Sequence, residues 1–365
     1  CYLNSSFKSK IKYKSWHINN NYICYMFIEN KTDQKLGVLG GGQLGRMLIQ
    51  EAINFNISVA VIDPDSNAPC ADLATEFFIG DLNDFQAIYE FGNKVDIITI
   101  EIENVNVEAL EKLESEGKKV YPPPAVLKMI KDKGLQKAFY KENGIPTADF
   151  FLVDNKAQIE AHSADMPFMQ KLRNGGYDGR GVTKITDKSS YESAFDAPSV
   201  LEKFVDFEKE IAVIAARNES GEVKLYPAVE MQFNPDVNLV EFLFTPASIS
   251  DDIEKSAQHI AAEIVEKTSF VGLLAVEFFV TRDGKLLVNE IAPRPHNSGH
   301  QSIEANYTSQ YEQHLRAIFN LPLGSTRLIE PAVMINLLGS PGFNGEAVYE
   351  GLEDCLQLEG VFIHL

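Results

Sequence analysis

Two apolar, strand-like runs separated by a short turn constrain the fold of this chain more than any other feature. They flank residues 281–285, whose Asp-Gly pair is typical of a hairpin turn. Glu277 lies in the first run and Glu290 in the second, so a hairpin would bring both carboxylates onto one face. Two carboxylates held together, with Asn289 beside them, repel each other unless a cation lies between them, and Mg²⁺ prefers oxygen ligands. The hairpin therefore predicts a magnesium site; the alternative is a pair of exposed carboxylates at a sheet edge.

The composition limits the class of protein. A chain of 365 residues exceeds one ordinary core and predicts two or three domains. Its 45% hydrophobic and 23% charged residues are typical of a soluble globular protein. The net charge of −19 argues against a general nucleic-acid binder but not against phosphate ligands, and no apolar run has the length of a membrane span. Four scattered cysteines without a Cys-x-x-Cys pair predict neither a zinc site nor a disulfide framework, and the expected location is the cytoplasm.

The N-terminal segment is left outside the predicted fold. Residues 1–28 contain no Asp or Glu and carry four lysines, a composition that a transit peptide can have. We favour the alternative that this stretch is translated upstream sequence and that the native start is Met26. Residues 1–34 are therefore expected to be a non-native or disordered extension.

The rest of the chain predicts two domains and part of a third. Strands alternate with helices over residues 35–124, which predicts a Rossmann-like domain with a parallel sheet. A helix over 125–143, several strands, the hairpin and a last helix over 308–319 predict a second domain at 125–320. Residues 321–365 predict only two strands, at 332–338 and 361–365, so they are interpreted as the start of an incomplete C-terminal module.

A first glycine-rich turn, at residues 40–45, follows a strand and opens a helix. Backbone N–H groups in this context can hold a phosphate. Asp63 lies about twenty residues further on, as in a dinucleotide fingerprint. A small ribonucleotide phosphate is another candidate ligand, and a turn needed only for packing is the structural alternative.

A pair of acidic residues ends a later strand of the first domain. Glu101 and Glu103 are two residues apart, so their side chains would point to the same side. They could accept hydrogen bonds from an amine or from hydroxyls at the edge where open α/β sheets bind ligands. A solvated strand end is the alternative.

A second glycine-rich segment, at 175–181, has four glycines in seven residues between two strands. Such a loop can lie over a polyphosphate with its backbone donors facing inward. It is not a P-loop, because no Gly-Lys-Ser/Thr follows. Lys171 precedes it on a strand and could reach phosphate. The alternative, a plain flexible turn, fits poorly with the Tyr, Asp and Arg inside the loop.

A strand end at residues 202–205, with Glu210 eight residues after Glu202, has a spacing that suits an adenosine pocket. Backbone groups near Lys203 and Val205 would contact the adenine edge, and Glu210 would hold the ribose hydroxyls. An acidic surface strand is the alternative interpretation.

Three polar residues follow the second hairpin strand directly. Arg294 and His296 flank Pro295, and Asn297 comes next. Prolines fix the backbone and so direct these side chains, and the planar fork of Arg fits a small planar oxyanion. A lone His is usually structural, but this one lies beside Arg, Asn and a predicted metal carboxylate.

Four motifs, taken in order, resemble those of the N5-carboxyaminoimidazole ribonucleotide synthetase family within the ATP-grasp superfamily. They are Gly-Gly-Gly-Gln-Leu-Gly at 40–45, Glu-x-Glu-Asn-Val at 101–105, Gly-Gly-Tyr-Asp-Gly-Arg-Gly at 175–181 and Asn-Glu-x-Ala-Pro-Arg-Pro-His-Asn-Ser-Gly-His at 289–300. The resemblance implies an α/β fold: a Rossmann-like domain, an ATP-grasp domain of two α+β subdomains, and a small β-rich C-terminal module that is truncated here.

The resemblance also implies an activity: carboxylation of 5-aminoimidazole ribonucleotide with ATP, Mg²⁺ and bicarbonate through carboxyphosphate, by a cytoplasmic homodimer. It assigns bicarbonate and carboxyphosphate chemistry to Arg294, His296, Asn297 and Asp178. It assigns Mg²⁺ to Glu277, Asn289 and Glu290. Substrate contacts are implied for Gly42, Gln43, Leu44, Glu101, Tyr177, Asp178 and Arg180. ATP contacts are implied for Lys133, Lys171, Gly176, Tyr177, Asp178, Gly179, Arg180, Gly181, Glu202, Lys203, Phe204, Val205, Glu210, Phe233, Asn289 and Glu290.

Three other functions stay open at this point. A related ATP-grasp ligase, such as formate-dependent glycinamide ribonucleotide transformylase, would share the ATP chemistry. The first glycine-rich turn alone would suit an NAD(P)-dependent dehydrogenase. A non-catalytic nucleotide-binding scaffold is the third alternative, because the family's basic C-terminal stretch for the substrate phosphate should lie beyond Leu365.

Overall fold

A computed structural model describes residues 17–18, 21–22, 33–175, 181–234, 239–339, 342, 345 and 347–364. Near the N-terminus, two short strands pair antiparallel, β1 (His17–Ile18) and β2 (Asn21–Tyr22). In the described part of the chain, no helix is both long and apolar enough to pass through a membrane.

The first domain is built on a parallel sheet of five strands in the order β5-β4-β3-β6-β7. The strands are β3 (Leu36–Leu39), β4 (Val59–Asp63), β5 (Glu76–Ile79), β6 (Ile97–Ile100) and β7 (Lys119–Tyr121). Its helices are α1 (Gln43–Asn54), α2 (Phe85–Gly92) and α3 (Val107–Ser115). Every residue of β3 and β6 is buried, as expected for parallel strands that are covered on both faces. The predicted Rossmann-like fold is confirmed.

The predicted single helix over 125–143 is wrong. Two helices form instead, α4 (Pro124–Lys131) and α5 (Lys133–Asn143), because Asp132 between them is extended. The Asp132 carboxylate accepts hydrogen bonds from the backbone of Gly134 and Leu135 and so caps α5. Arg173 donates two further bonds to the same carboxylate, at 2.8 and 2.6 Å. The break thus fixes where α5 begins.

The second domain contains two antiparallel sheets. The smaller has the order β10-β9-β11-β8 and is formed by β8 (Phe150–Val153), β9 (Phe168–Leu172), β10 (Val182–Ile185) and β11 (Ser199–Lys203). The larger has the order β17-β16-β12-β14-β15-β18, with β13 paired to β12. Its strands are β12 (Phe207–Arg217), β13 (Val223–Leu225), β14 (Val229–Asn234), β15 (Leu239–Thr245), β16 (Gly272–Thr281), β17 (Leu286–Ala292) and β18 (Ala332–Ile335). Strands β13 to β15 were not predicted from the sequence.

The remaining helical segments cover these sheets or connect their strands. The α-helices are α6 (Asp251–Lys267), α7 (Ser302–Ala305), α8 (Gln310–Ile318) and α9 (Leu352–Leu356). Short 3₁₀ segments span Lys156–Asp165, Lys188–Ser193 and Asn297–Gly299. Helix α6 is amphipathic, as its sequence predicts, and it buries Ala257, Ile260, Ala261, Ile264 and Val265.

The C-terminal segment differs from its prediction. Strand β18 pairs with β15 and forms the edge of the larger sheet. The strand predicted at 361–365 is wrong for residues 361–364, which are not in a strand. Val361 and Phe362 are 40% and 59% exposed, so burial does not stabilise an extended conformation there. The boundaries at 320 and 321 remain predictions.

The two domains are joined by a shared core and a buried polar contact. Leu48 of α1 packs in one hydrophobic cluster with Tyr311 and Leu315 of α8. Beneath them, Thr99 Oγ1 of β6 lies 2.8 Å from His314 Nε2 of α8. Helix α8 of the second domain is therefore held against α1 and β6 of the first.

Candidate active site

The predicted hairpin forms, and Glu277 and Glu290 are direct partners across β16 and β17. A register shift between Glu277 and Phe278 distorts the ladder at this point. Burial raises the pKa of Glu277, and the negative charges of Glu290 and Glu210 raise it further. The Lys133 ammonium lowers the pKa of Glu290 despite its desolvation. The hairpin thus collects negative charge on one face, as the sequence suggested.

Lysines from the smaller sheet and from α5 converge on this hairpin. Lys133 Nζ lies 2.9 Å from Glu290 Oε2, and Lys171 Nζ donates to Asn289 Oδ1 at 3.0 Å. Burial alone would lower the pKa of Lys133, but the Glu290 carboxylate raises it above its ordinary value. Residues implied for ATP phosphates and residues implied for metal are therefore in direct contact.

The Glu202 side chain points into the protein, toward two lysines. Its side chain is 5% exposed, and its two oxygens contact two ammonium groups, Lys137 at 3.2 Å and Lys171 at 3.0 Å. Burial acts to raise the pKa of Glu202, but the two lysines hold it below its ordinary value. The Glu202 carboxylate is thus engaged by two lysines, and the contact of this residue with ATP that the resemblance implies stays a prediction.

Lys137 was missed by the sequence analysis. It lies one helical turn after Lys133 on α5, and only 1% of the residue is exposed. Burial lowers its pKa to about 8. The (i, i+4) spacing from Lys133 was the available signal, because residues so spaced share a helix face.

The proposed adenosine residues lie along the junction of the two sheets. Lys203 ends β11, Phe204 is 47% exposed, and Val205 follows in the connection to β12. Glu210 lies on β12, where burial raises its pKa to about 7, with the Glu290 charge adding to the shift. Phe233 is half-buried on β14 beside a register shift. The fold therefore brings Glu210 near Lys171 and Glu290, and the contacts of the other four residues with adenosine stay predictions.

The structure describes only the two ends of the second glycine-rich loop. Gly176, Tyr177, Asp178, Gly179 and Arg180 lie outside the described residues. Gly181 accepts a backbone hydrogen bond from Leu172 at 2.8 Å, and the next residue pairs with Lys171 across β9 and β10. The loop therefore starts and ends beside Lys171.

The residues after β17 turn toward the hairpin and the first domain. His296 Nε2 lies 3.6 Å from Glu277 Oε1, while Arg294 Nε donates to Glu103 Oε1 at 2.8 Å. Asn297 instead accepts a bond from Asn336. Burial, aided by the Arg294 charge, lowers the pKa of His296 to about 3, so the imidazole is neutral near pH 7.

The first glycine-rich turn is closed by side chains of its own domain. Gly41 N donates to Asp63 Oδ2 at 2.7 Å, so Asp63 stabilises the turn itself. The Glu101 carboxylate accepts bonds from the backbone of Leu44 and Gly45. A Cβ on Gly42 would lie 2.4 Å from Glu101 Oε1, so a larger residue there requires the Glu101 carboxylate to move.

Glu101 and Gln43 define the edge of this turn. Burial raises the pKa of Glu101, and the Arg294 charge opposes that shift. Gln43 begins α1 and is exposed. The backbone donors of the turn face a carboxylate of the chain, and Asp63 is engaged, so the arrangement disfavours the dinucleotide-binding alternative.

Two family models match successive parts of the chain. Residues 33–131 match the ribonucleotide synthetase preATP-grasp domain, and residues 138–311 match the ATP-grasp domain. The N5-carboxyaminoimidazole ribonucleotide synthase of Brucella melitensis is 39% identical over 85% of this chain and 87% of its own length. The phosphoribosylaminoimidazole carboxylase of Vigna aconitifolia is 37% identical over 90% of this chain. This chain spans 60% of the length of that plant protein.

Solved structures agree with the sequence matches. The N5-carboxyaminoimidazole ribonucleotide synthetase of Thermotoga maritima is 44% identical, with a TM-score of 0.82 over 90% of this chain and 87% of that one. The Aspergillus clavatus synthase, in complex with ADP and 5-aminoimidazole ribonucleotide, is 33% identical, with a TM-score of 0.78 over 85% and 84%. With its two matched domains and its converging lysines and carboxylates, this chain belongs to the N5-carboxyaminoimidazole ribonucleotide synthase family of ATP-grasp proteins.

Proposed function

We propose that this chain carboxylates 5-aminoimidazole ribonucleotide to N5-carboxyaminoimidazole ribonucleotide in purine biosynthesis. Bicarbonate would supply the carboxyl group, and ATP would be converted to ADP and phosphate. One observation carries the proposal: Lys133 and Lys171 meet the carboxylate hairpin at the point where Arg294 reaches the first domain. That arrangement suits a nucleotide phosphate and a small anion held next to a second substrate. Relatives crystallised with ADP, and one with 5-aminoimidazole ribonucleotide as well, support the assignment.

Mg²⁺ suits the hairpin on chemical grounds. Glu277, Glu290 and Asn289 offer oxygen atoms, the ligand type that Mg²⁺ prefers. Burial raises the pKa of Glu277, and the neighbouring Glu290 and Glu210 carboxylates raise it further, so a bound cation would relieve their repulsion. When bound, Mg²⁺ would neutralise charge on the phosphates of ATP.

The residues of the chain would supply charge, orientation and exclusion of water. Lys133 and Lys171 would neutralise the phosphates while a bicarbonate oxygen attacks the γ-phosphorus and ADP leaves. The planar Arg294 guanidinium would orient bicarbonate and the resulting carboxyphosphate. Because His296 is neutral, it would act there by hydrogen bonding rather than by charge.

The second half of the reaction would take place against the first domain. Carboxyphosphate would split into CO₂ and phosphate, and the exocyclic amine of the substrate would attack CO₂ and lose one proton to give the carbamate. Gly42, Gln43, Leu44 and Glu101 are positioned at the edge where that substrate would bind. The glycine-rich loop, which begins and ends beside Lys171, would limit water during these steps.

ADP release by the full chain tests this function. The assay contains ATP, Mg²⁺ and bicarbonate, with or without 5-aminoimidazole ribonucleotide, and uses Glu290→Ala as the control. Turnover that depends on 5-aminoimidazole ribonucleotide and is lost in the variant is expected. Turnover only with glycinamide ribonucleotide and formate would instead identify the rival ligase. ATP binding without turnover in either mixture would favour a non-catalytic scaffold.

We also propose, from the family resemblance, a cytoplasmic homodimer. Sedimentation velocity of the full chain would test its oligomeric state, and a species of twice the 40.7 kDa chain mass is expected. A species of the chain mass at micromolar concentration would contradict the dimer.

A further inference from the structure

Lys137 occupies a position that the reaction described above does not use. Its ammonium is buried inside the ATP-grasp domain, and it contacts Glu202 Oε1 and Thr147 Oγ1. Thr147 in turn donates to the carbonyl of Val288 at 2.8 Å, one residue before Asn289. Lys137 is thus fixed by β11 on one side and by the hairpin strand on the other.

The charges around Lys137 form a chain of three groups. Glu202 lies between two ammonium groups, with Lys137 at 3.2 Å and Lys171 at 3.0 Å. Lys137 is buried, with 1% of its surface exposed, so solvent does not stabilise its charge. The three groups together carry one net positive charge, and of the two lysines Lys171 is the one that lies on β9 and pairs with Val182 of β10.

This arrangement decides whether Lys171 can attract an anion. If Glu202 had Lys171 as its only partner, the two would form a neutral buried pair. Because Lys137 shares Glu202 with Lys171, this carboxylate compensates the charge of Lys171 less than it would alone, while Glu290 and Glu210 also lie close enough to interact with Lys171.

We propose that Lys137 is a positioning residue that balances Glu202 and thereby leaves the charge of Lys171 available for the phosphates of ATP. The inference rests on the proposed function, because that function places ATP phosphate at Lys171. It predicts a phosphate-specific effect: Lys137 acts on the polyphosphate and not on the adenosine half of the nucleotide.

Binding of ATP and of adenosine to the full chain at pH 7 in EDTA tests this proposal, and EDTA keeps metal binding out of the comparison. Lys137→Met should raise the Kd for ATP about tenfold, as expected for a weakened charge–phosphate interaction, and leave the Kd for adenosine within about twofold. Lys141→Met is the matched control, because this exposed lysine lies one turn further along the same helix. It should change neither constant.

A double variant separates charge balance from a merely structural role. In Lys137→Met/Glu202→Gln the uncompensated carboxylate is gone, so the Kd for ATP should return to within about threefold of the wild type. If Lys137→Met weakens ATP and adenosine equally, or if the double variant does not recover, the proposal is wrong.

Glu202→Gln alone keeps the test decisive if Lys137→Met does not fold. It should increase the preference for ATP over adenosine, and an unchanged or reduced preference would overturn the proposal.

Wild-type ADP release is measured separately. If the binding pattern holds but 5-aminoimidazole ribonucleotide does not stimulate turnover, the carboxylase assignment fails and the role of Lys137 stands. If turnover depends on 5-aminoimidazole ribonucleotide but the binding pattern is absent, the carboxylase assignment stands and the role proposed for Lys137 fails.

Discussion

Two buried carboxylates, Glu202 in the ATP-grasp domain and Glu101 in the first domain, are stabilised in opposite ways. Two lysines hold the pKa of Glu202 below its ordinary value against the effect of burial. Burial dominates at Glu101, and its pKa is raised although Arg294 and two backbone N–H groups oppose the shift. The comparison shows that the pKa of a shielded acid rises or falls according to whether its partners outweigh the cost of desolvation, as two lysines do at Glu202 and Arg294 does not at Glu101.

The two regions also differ in how they are assembled. Lys133 and Glu290 are 157 residues apart in sequence, and Lys171 and Asn289 are 118 apart. The glycine-rich turn is closed by Asp63, only 22 residues away. The ATP-grasp pocket therefore depends on charge pairing between distant segments, whereas the edge of the first domain depends on hydrogen bonds from the turn backbone to carboxylates of the same domain.

Removing the Glu290 carboxylate from the ATP-grasp pocket should have the largest effect on turnover. Glu290→Ala leaves Lys133 without its carboxylate partner and removes a proposed Mg²⁺ ligand. We expect substrate-dependent ADP release to fall on the order of a thousandfold, the upper end for loss of one electrostatic group in an active site. Steady-state kinetics at saturating ATP measure the change.

Asp283→Ala is the control for that variant, because Asp283 is an exposed carboxylate at the tip of the same hairpin and pairs with Lys285. It should retain turnover within about twofold, as is usual for exposed ion pairs. A loss of less than tenfold in Glu290→Ala would contradict the importance assigned to the hairpin charge.

Changing the first glycine-rich turn should have an intermediate effect on turnover. It should also distinguish the edge of the first domain from the ATP-grasp pocket. Gly42→Ala places a Cβ 2.4 Å from Glu101 Oε1, so the carboxylate must move. We expect kcat/KM for 5-aminoimidazole ribonucleotide to fall about a hundredfold, the cost of a small misplacement in a binding site. The Kd for ATP should change little, since the pocket is assembled elsewhere.

Gly339→Ala provides the comparison for this glycine, because a Cβ there meets nothing within 4 Å. Equal losses of ATP and substrate binding in Gly42→Ala would show that the two regions are not independent.

The smallest effect should come from His314, at the contact between the domains, and it should be seen in the free energy of unfolding. Burial lowers the pKa of His314 to about 3, so the folded chain does not protonate it between pH 6.5 and 3 while the unfolded chain does. Stability should therefore fall with decreasing pH in that window by about 1.4 kcal/mol per pH unit for each such histidine. Urea unfolding at pH 7 and pH 5 measures the slope.

His314→Gln isolates this contribution from those of His296 and His300, whose pKa values burial also lowers. The variant should lose stability at pH 7, because the contact with Thr99 changes, but its stability should vary less with pH. An unchanged slope would mean that His314 takes up a proton in the folded protein.

Much of the fold could be predicted because its signals are local. Strand and helix periodicity predicted the parallel sheet, and the Asp-Gly turn placed Glu277 opposite Glu290. The break at Asp132 was missed, since its cap depends partly on Arg173, 41 residues away. Strands β13 to β15 were missed for a related reason, because their pairing with β12 and with one another stabilises short segments with weak patterns of their own.

The sequence by itself determined the hairpin, the two glycine-rich segments and the residue types that could carry ATP chemistry, because turn geometry and side-chain spacing are properties of neighbouring residues. Only the tertiary structure decided which charges meet. It directed Glu202 to Lys137, and it paired Arg294 with Glu103, 191 residues away. The physical reason is that charge pairing depends on distance in space and on burial, and neither quantity has a period that can be found along the chain.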